Sequence, residues 1–324
     1  MNPYHILGLL LCLLPQGATA QVSLFDSLYR QGDTLDLYLD TEYRRLVRRR
    51  LNKEYQPATV RLPGFAEALP VKVRTRGHMR LQQCTQPSLQ LKFKKKHLRA
   101  MGLDTLNKLK LVLQCDRGNR GLGYLRREML AYDIHGLVST YTHRHLPVRL
   151  HAGGEVTHGM LLEPEGDLAK RYAARIVKTE KLSCNALDRE HYVRLCLFNY
   201  LILNTDWYIY NTHNVEVLYT ADGRVISIPY DFDYSGFVGT HYAVPHESRD
   251  QLSVHDPLFC GQDVTVEELA AEVDYFLPLR PRITALIADH PTLEERQRKR
   301  LLRRVEAFYE TVGNPKRLQR ILSK

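Results

Sequence analysis

The sequence lacks any CxxC pair; its cysteines, Cys12, Cys84, Cys115, Cys184, Cys196 and Cys260, are scattered, which excludes the usual zinc-cluster spacing. Tryptophan occurs once, at Trp207, and reads as a packing residue beside a polar loop. Aromatic and basic residues are not interleaved anywhere, so the stacking platform of a nucleic-acid binder is missing and no nucleic-acid partner is expected. There is no internal repeat and no low-complexity linker, so any division is between lobes of one body. Long apolar runs are missing too. The run Ile6 to Leu14 falls short of the ~20 residues that span a bilayer, and nothing later is long enough.

That short run is followed by small residues at Ala18 and Ala20, the pattern of an export signal cleaved after Ala20. A periplasmic or secreted location is the resulting expectation, with residues 1–20 set aside from fold reasoning. Cys12 has no small residue before it, so no lipid anchor is expected. In an oxidising compartment a disulfide is the default use of cysteine. Cys84 and Cys115 each flank a predicted strand and are the preferred pair. The formal charge is +10, which favours acidic partners such as glycans, lipid head groups or nucleotides. Its densest block, Tyr43 to Lys53, follows Asp40 and Thr41 and reads as a basic helix with Leu46 and Leu51 on its apolar side.

From Ala58 to Leu113 the chain reads as strands. Leu89, Leu91 and Phe93 alternate with Gln90, Lys92 and Lys94, which gives one apolar face and one basic face. Arg117 to Gly123 reads as a Gly-rich connector. The next segment, from Tyr124, has helical spacing through Leu125, Met129, Leu130 and Ile134 and is expected to end at Gly136. Gly153-Gly154 and Asp222-Gly223 each mark a β-hairpin. The lobe boundary is expected near Glu165, and from about Val264 the chain reads as helical.

The chemistry-bearing constellation is Asn204, Asp206, Asn211, Asn214, Asp231 and Asp233. A polar loop after a buried helix, a hairpin, and two acids after an apolar strand bring hard oxygen donors to one end. Such donors suit Mg²⁺, whose coordination is commonly completed by substrate phosphates. His143, His145, His151, His241 and His246 form no ligand-spaced set on a predicted helix.

The order Asp206, Asn211, hairpin, Asp231-Phe232-Asp233 resembles the protein-kinase series of catalytic-loop Asp, Asn and Asp-Phe-Gly. With NTDW and IPYDFD the chain is more similar to the CotH-type spore-coat kinase family, over residues 70 to 240. No His-Arg precedes Asp206, Asp233 stands where Gly belongs, and no Gly-rich phosphate loop is present. The resemblance implies an α+β fold of two lobes, an atypical protein-kinase-like arrangement with a β-rich N-lobe and a mainly helical C-lobe. It makes Asp206 the catalytic acid and Asp231 the main metal ligand, with Asn214 or Asn211 as the second. Lys92 corresponds to the phosphate-clamping lysine and Glu128 to its helix partner, with Lys94 and Lys110 as competing lysines. Arg74, Arg76 and Arg80 are placed to hold phosphates.

The expected divisions are an export signal (1–20), an extension with the basic helix (21–57), a β-rich lobe (58–165) and a mainly helical lobe (166–324). The expected activity is transfer from ATP, with Mg²⁺ or Mn²⁺, to a protein or glycan hydroxyl, including that of an acidic envelope polymer. Two other classes fit the same residues: a degenerate kinase-like module binding an envelope polymer, and a metal-dependent hydrolase using water as acceptor.

Overall fold

The structure is a computed structural model that describes residues 21–32, 34–247 and 250–322. The proposed export segment, with Cys12, Ala18 and Ala20, lies outside them. Seven strands close a barrel: β1 (Leu35–Asp40), β2 (Gln56–Arg61), β3 (Leu69–Thr75), β4 (Leu89–Phe93), β5 (Lys108–Leu113), β6 (His145–Ala152) and β7 (Glu155–Leu162). Their order is β1-β2-β3-β4-β5-β7-β6, and closure comes from parallel pairing of β1 with β6, Leu35 opposite Val148. The period of two sends Leu37, Val60, Val73, Leu89, Leu91, Leu111, Leu113 and Leu150 inward, where all are buried. Each such side chain contributes roughly 1.5–3 kcal/mol relative to exposure, so Leu91→Ala would cost roughly 2–5 kcal/mol.

The barrel begins earlier than the sequence suggests. β1 lies inside the segment read as an N-terminal extension, and its alternation becomes meaningful only once β6, far along the chain, is beside it. The basic helix is shorter than expected, Tyr43–Arg48, with Glu42 before it; Leu51 is exposed in a following turn. Thr41 is occupied elsewhere, its hydroxyl donating to the Pro57 carbonyl at 2.9 Å. Both expected hairpins form: β6 with β7 across Gly153 and Gly154, both at positive φ, and β9 (Val215–Tyr219) with β10 (Val225–Pro229) across Gly223. β8 (Arg175–Ile176) joins β9 and completes a second sheet of three strands.

The helix Asn119–Val138 starts within the stretch read as a connector and runs past Gly136. Its glycines serve close approach rather than flexibility: a Cβ on Gly121 would sit 2.0 Å from the Asp116 carbonyl oxygen. This helix packs with Arg189–Leu201, Val266–Phe276, Arg280–Ala288 and Glu295–Val312 around a second core that includes Leu130, Ile134, Phe198, Phe276 and Phe308. The barrel interior and this helical core are separate buried clusters.

Cys84 and Cys115 form the expected disulfide, and Cys184, Cys196 and Cys260 are buried. Among the described residues no helix is long and apolar enough to cross a membrane. The disulfide is the kind of cross-link that persists in oxidising compartments, and it fits an extracytoplasmic location. It joins residues 31 apart in sequence, so its removal releases a sizeable loop in the unfolded chain. Cys84→Ser/Cys115→Ser should lower the free energy of urea unfolding by about 2–4 kcal/mol. An unchanged midpoint and slope would show that the barrel holds this loop without the cross-link.

Candidate active site

The catalytic-loop candidates sit just beyond the helix Arg189–Leu201. Asn204 is buried and works as a splice. Its Nδ2 donates to Asn199 Oδ1 at 2.9 Å, and its Oδ1 accepts from the Asp206 amide at 3.2 Å. The next residues turn outward, and Asp206 emerges half-buried. Asn214 Nδ2 donates to the Asp206 carbonyl at 2.8 Å and to Asp206 Oδ2 at 2.9 Å. His213 Nε2 lies 3.0 Å from Asp206 Oδ1. That contact raises the His213 pKa against the opposing effect of partial burial, with the charges of Asp206 and Asp231 adding to it.

Asn214 also reaches the second acid. Its carbonyl accepts from the Tyr230 amide at 3.0 Å, and Tyr230 immediately precedes Asp231. The hairpin therefore ties the two polar clusters together through one asparagine. Tyr234 senses both acids: burial pushes its pKa up to about 12, with Asp233, Asp206 and Asp231 contributing in that order. The two asparagines are placed differently. Asn214 bonds Asp206, whereas Asn211 is exposed and its side-chain oxygen accepts from the His213 amide at 3.3 Å.

Asp231 adopts φ 62° and ψ 65°. A non-glycine residue held there costs of order 1–3 kcal/mol and persists where its surroundings over-determine it. They do so here. The Asp231 amide donates to the Tyr132 hydroxyl at 3.0 Å, and the next ring, Phe232, is fully buried 4.6 Å from Tyr132 and 5.5 Å from Phe198. Asp233 then accepts from Arg80 Nε at 3.0 Å and from the Tyr242 hydroxyl at 2.6 Å.

Two residues expected at the nucleotide, Arg80 and Glu128, lie inside this network. Arg80 is buried, bonded to Glu128 and Asp233, and donates to the Leu113 carbonyl at 3.1 Å. Its guanidinium is committed within the chain, and Glu128 pairs with it rather than with Lys92. Lys92 is exposed on the outer face of β4, 5.6 Å from the Tyr55 ring. Lys94 is also exposed, just before the helix Lys95–Ala100. Lys110, the other candidate lysine, is half-buried, within electrostatic reach of Asp231 and with its Nζ 5.9 Å from the Tyr230 ring. Burial pushes its pKa down and Arg76 adds to this, while Glu216, Glu165 and Asp231 oppose it. Arg76 is half-buried at the same place, and Arg74 is taken up by Gln90 Oε1 at 2.9 Å. The site thus gathers Asp206, Asn214, Asp231, Lys110 and Arg76.

Glu128, Tyr132 and His213 carry much of this geometry. The first two lie four apart on one helix, hence on one face, a spacing that was available in the sequence. Nothing local signalled the partnership of Tyr242 with Asp233.

The donor set suits a hard cation. The Asp231 carboxylate takes part in no ion pair among the described residues, and Asn214 uses its amide nitrogen on Asp206, which leaves its side-chain oxygen as a ligand. Two protein oxygens plus phosphate and water oxygens is how Mg²⁺ is commonly held. The cluster Cys115, Asp116 and His241 also has closely spaced donors, but the Cys115 sulfur is spent in the disulfide. A scan against protein-family models finds no match to the chain, and a search of curated proteins finds none either.

Burial is the leading cause that raises both Glu128 and Asp233 above ordinary carboxyl values; Asp231 adds to both and Asp233 adds to Glu128, while Arg80 opposes the rise in each. The folded state therefore binds more protons than the unfolded one between those values, so this pair's contribution to stability declines as pH rises from the acidic side through neutrality. Arg80→Met should destabilise by about 3–5 kcal/mol, and its deficit should be larger at pH 9 than at pH 6 in urea unfolding. An equal deficit at both pH values would mean that Arg80 acts by packing alone.

Proposed function

We propose that this protein is a metal- and nucleotide-dependent phosphotransferase of protein-kinase-like, CotH-like character. It transfers the γ-phosphoryl group of ATP to a hydroxyl of a protein or glycan outside the cytoplasm. The observation that carries this reading is Asn214, one side chain bonded to Asp206 and, through its carbonyl, to the residue before Asp231. A two-lobed reading of barrel and helical body is the corresponding proposal for the fold.

Asp206 orients the acceptor hydroxyl and takes its proton as the oxygen attacks phosphorus and the bond to the β-phosphate oxygen breaks, releasing ADP. Lys110 and Arg76 hold the phosphates. Lys110 supplies a compact point charge and Arg76 a planar fork. Asp231 and the side-chain oxygen of Asn214 are the residues that would hold Mg²⁺ or Mn²⁺. When bound, the ion supplies neutralisation of phosphate charge during transfer. The left-handed backbone at Asp231, pinned on both sides, supports preorganisation of that carboxylate.

Calorimetry with ATP and Mg²⁺ on residues 21–324 tests this directly. Asp231→Asn should abolish the metal-dependent part of binding. Asp206→Asn should keep it and reduce turnover by about 10²–10⁴-fold. Lys110→Met should weaken ATP binding about tenfold, with Lys92→Met close to wild type. If the wild-type protein binds no nucleotide with any divalent metal, the enzyme reading gives way to the polymer-binding module. If phosphate is released without an acceptor, it gives way to the hydrolase.

A further inference from the structure

The outer face of the barrel carries a charge pattern that the catalytic site does not use. In β3, β4 and β5 the register sets Lys72 directly opposite Lys92, and Lys92 directly opposite Lys108. All three are exposed and, among the described residues, none is in an ion pair. Like charges directly opposite across strands are destabilising, so the chain maintains this ladder against its own stability. Lys94, Lys95 and Lys96 follow at the end of β4, also exposed and without ion pairs. The ladder borders an open groove of about 1240 Å³. Of the two acids at its rim, Asp40 and Glu42, Glu42 is already spent on Arg45 at 2.7 Å.

The next row on the same face is Arg74, Gln90 and Lys110, one step of two residues along the strands, about 7 Å. Arg74 lies 4.9 Å from the Tyr55 ring, which also holds Lys92. The second row ends at Lys110, beside Asp231. The lysine ladder and the candidate active site are therefore two ends of one cationic face.

We infer that the outer face of β3, β4 and β5 is a docking track for a linear carboxylated polysaccharide, laid across the Lys72–Lys92–Lys108 ladder and leading toward Asp206. Three features favour this occupant. Neighbouring strands stand about 4.8 Å apart, close to the length of one sugar in an extended chain, so one ammonium meets each charged residue. The ladder consists of point charges rather than arginine forks, which suits separate carboxylates more than bidentate phosphates. The aromatic rings beside this face are already engaged, Tyr55 by Arg74 and Lys92 and Tyr230 by Lys110, so neither is an open platform on which bases could stack. The track needs no catalysis; only its role as acceptor guide rests on the phosphotransferase reading.

The test is calorimetry of residues 21–324 with polygalacturonate, without nucleotide or added metal, at low and high salt. Binding should weaken with salt, as expected for exposed charges. Lys72→Gln/Lys92→Gln/Lys108→Gln should weaken it about tenfold. An equal charge change on the opposite body, Arg282→Gln/Arg296→Gln/Arg303→Gln, should leave it near wild type; circular dichroism confirms that both variants are folded. Equal losses in the two triples would overturn the track in favour of diffuse attraction. Tighter binding to polyphosphate, to single-stranded DNA or to anionic vesicles than to polygalacturonate would overturn the choice of occupant, and no binding would overturn the proposal. Binding of the polymer without any nucleotide binding leaves the track standing while the phosphotransferase reading falls; the reverse pattern does the opposite.

Discussion

The rest of the structure depends on how Arg80 is satisfied. A guanidinium out of water is costly unless it is paired and fully hydrogen-bonded. Here its partners come from three directions: the Leu113 carbonyl at the end of β5, Glu128 on the helix Asn119–Val138, and Asp233 after β10. Burial disfavours its charge, but Glu128, Tyr242, Asp233 and Asp231 outweigh that and keep its pKa above the usual arginine value. No two of these elements can shift relative to one another without leaving a charge unpaired. The disulfide reinforces the same joint, since Cys84 follows the short helix that carries Arg80 and Cys115 lies two residues beyond Leu113. The covalent link thus fixes the Arg80 segment to the end of β5, and the buried ion network ties that joint to the helix Asn119–Val138 and to the segment after β10.

That joint explains why Asp231 can be held in an unfavourable backbone conformation. Its amide is tied to Tyr132, one turn along the helix from Glu128, and Asp233 two residues later is tied to Arg80. Between them Phe232 is buried against Tyr132 and Phe198. Side chains on two helices and one barrel segment therefore set the aim of a single carboxylate, and the strain is stored where positioning matters.

The sequence revealed what is local. The alternation in β4, the glycines of both hairpins and the Cys84–Cys115 pairing between strand-flanking cysteines follow from local patterns. Barrel closure by β1 was illegible, because its partner β6 is more than a hundred residues away. The choice between Lys92 and Lys110 was illegible for a related reason. Both lie on the outward face of neighbouring strands, and the approach of Tyr230 and Glu216 from beyond the barrel separates a half-buried lysine from a solvated one. Arg80 was read as a phosphate ligand because an arginine near a Gly looks the same whether its fork meets a phosphate or two carboxylates.

The charge on this face changes sign along its length. Lys72, Lys92 and Lys108 stand without acids, Lys110 stands among Glu216, Glu165 and Asp231, and beyond it come Asp206 and Asp231 with only His213, Lys110 and Arg76 as counterweights. An anionic ligand is drawn along the lysines and then meets carboxylates that repel it. Screening by water reduces that repulsion at the surface but much less in a partly buried pocket. A divalent cation on Asp231 would invert the local sign, so hard oxygen donors and the cationic side chains Lys110 and Arg76 could serve one anionic ligand in the same cleft. The lysine ladder lies one two-residue step from Lys110 along the strands and requires no such inversion, so the proposed attraction to the barrel face and the proposed chemistry at Asp206 would be separable.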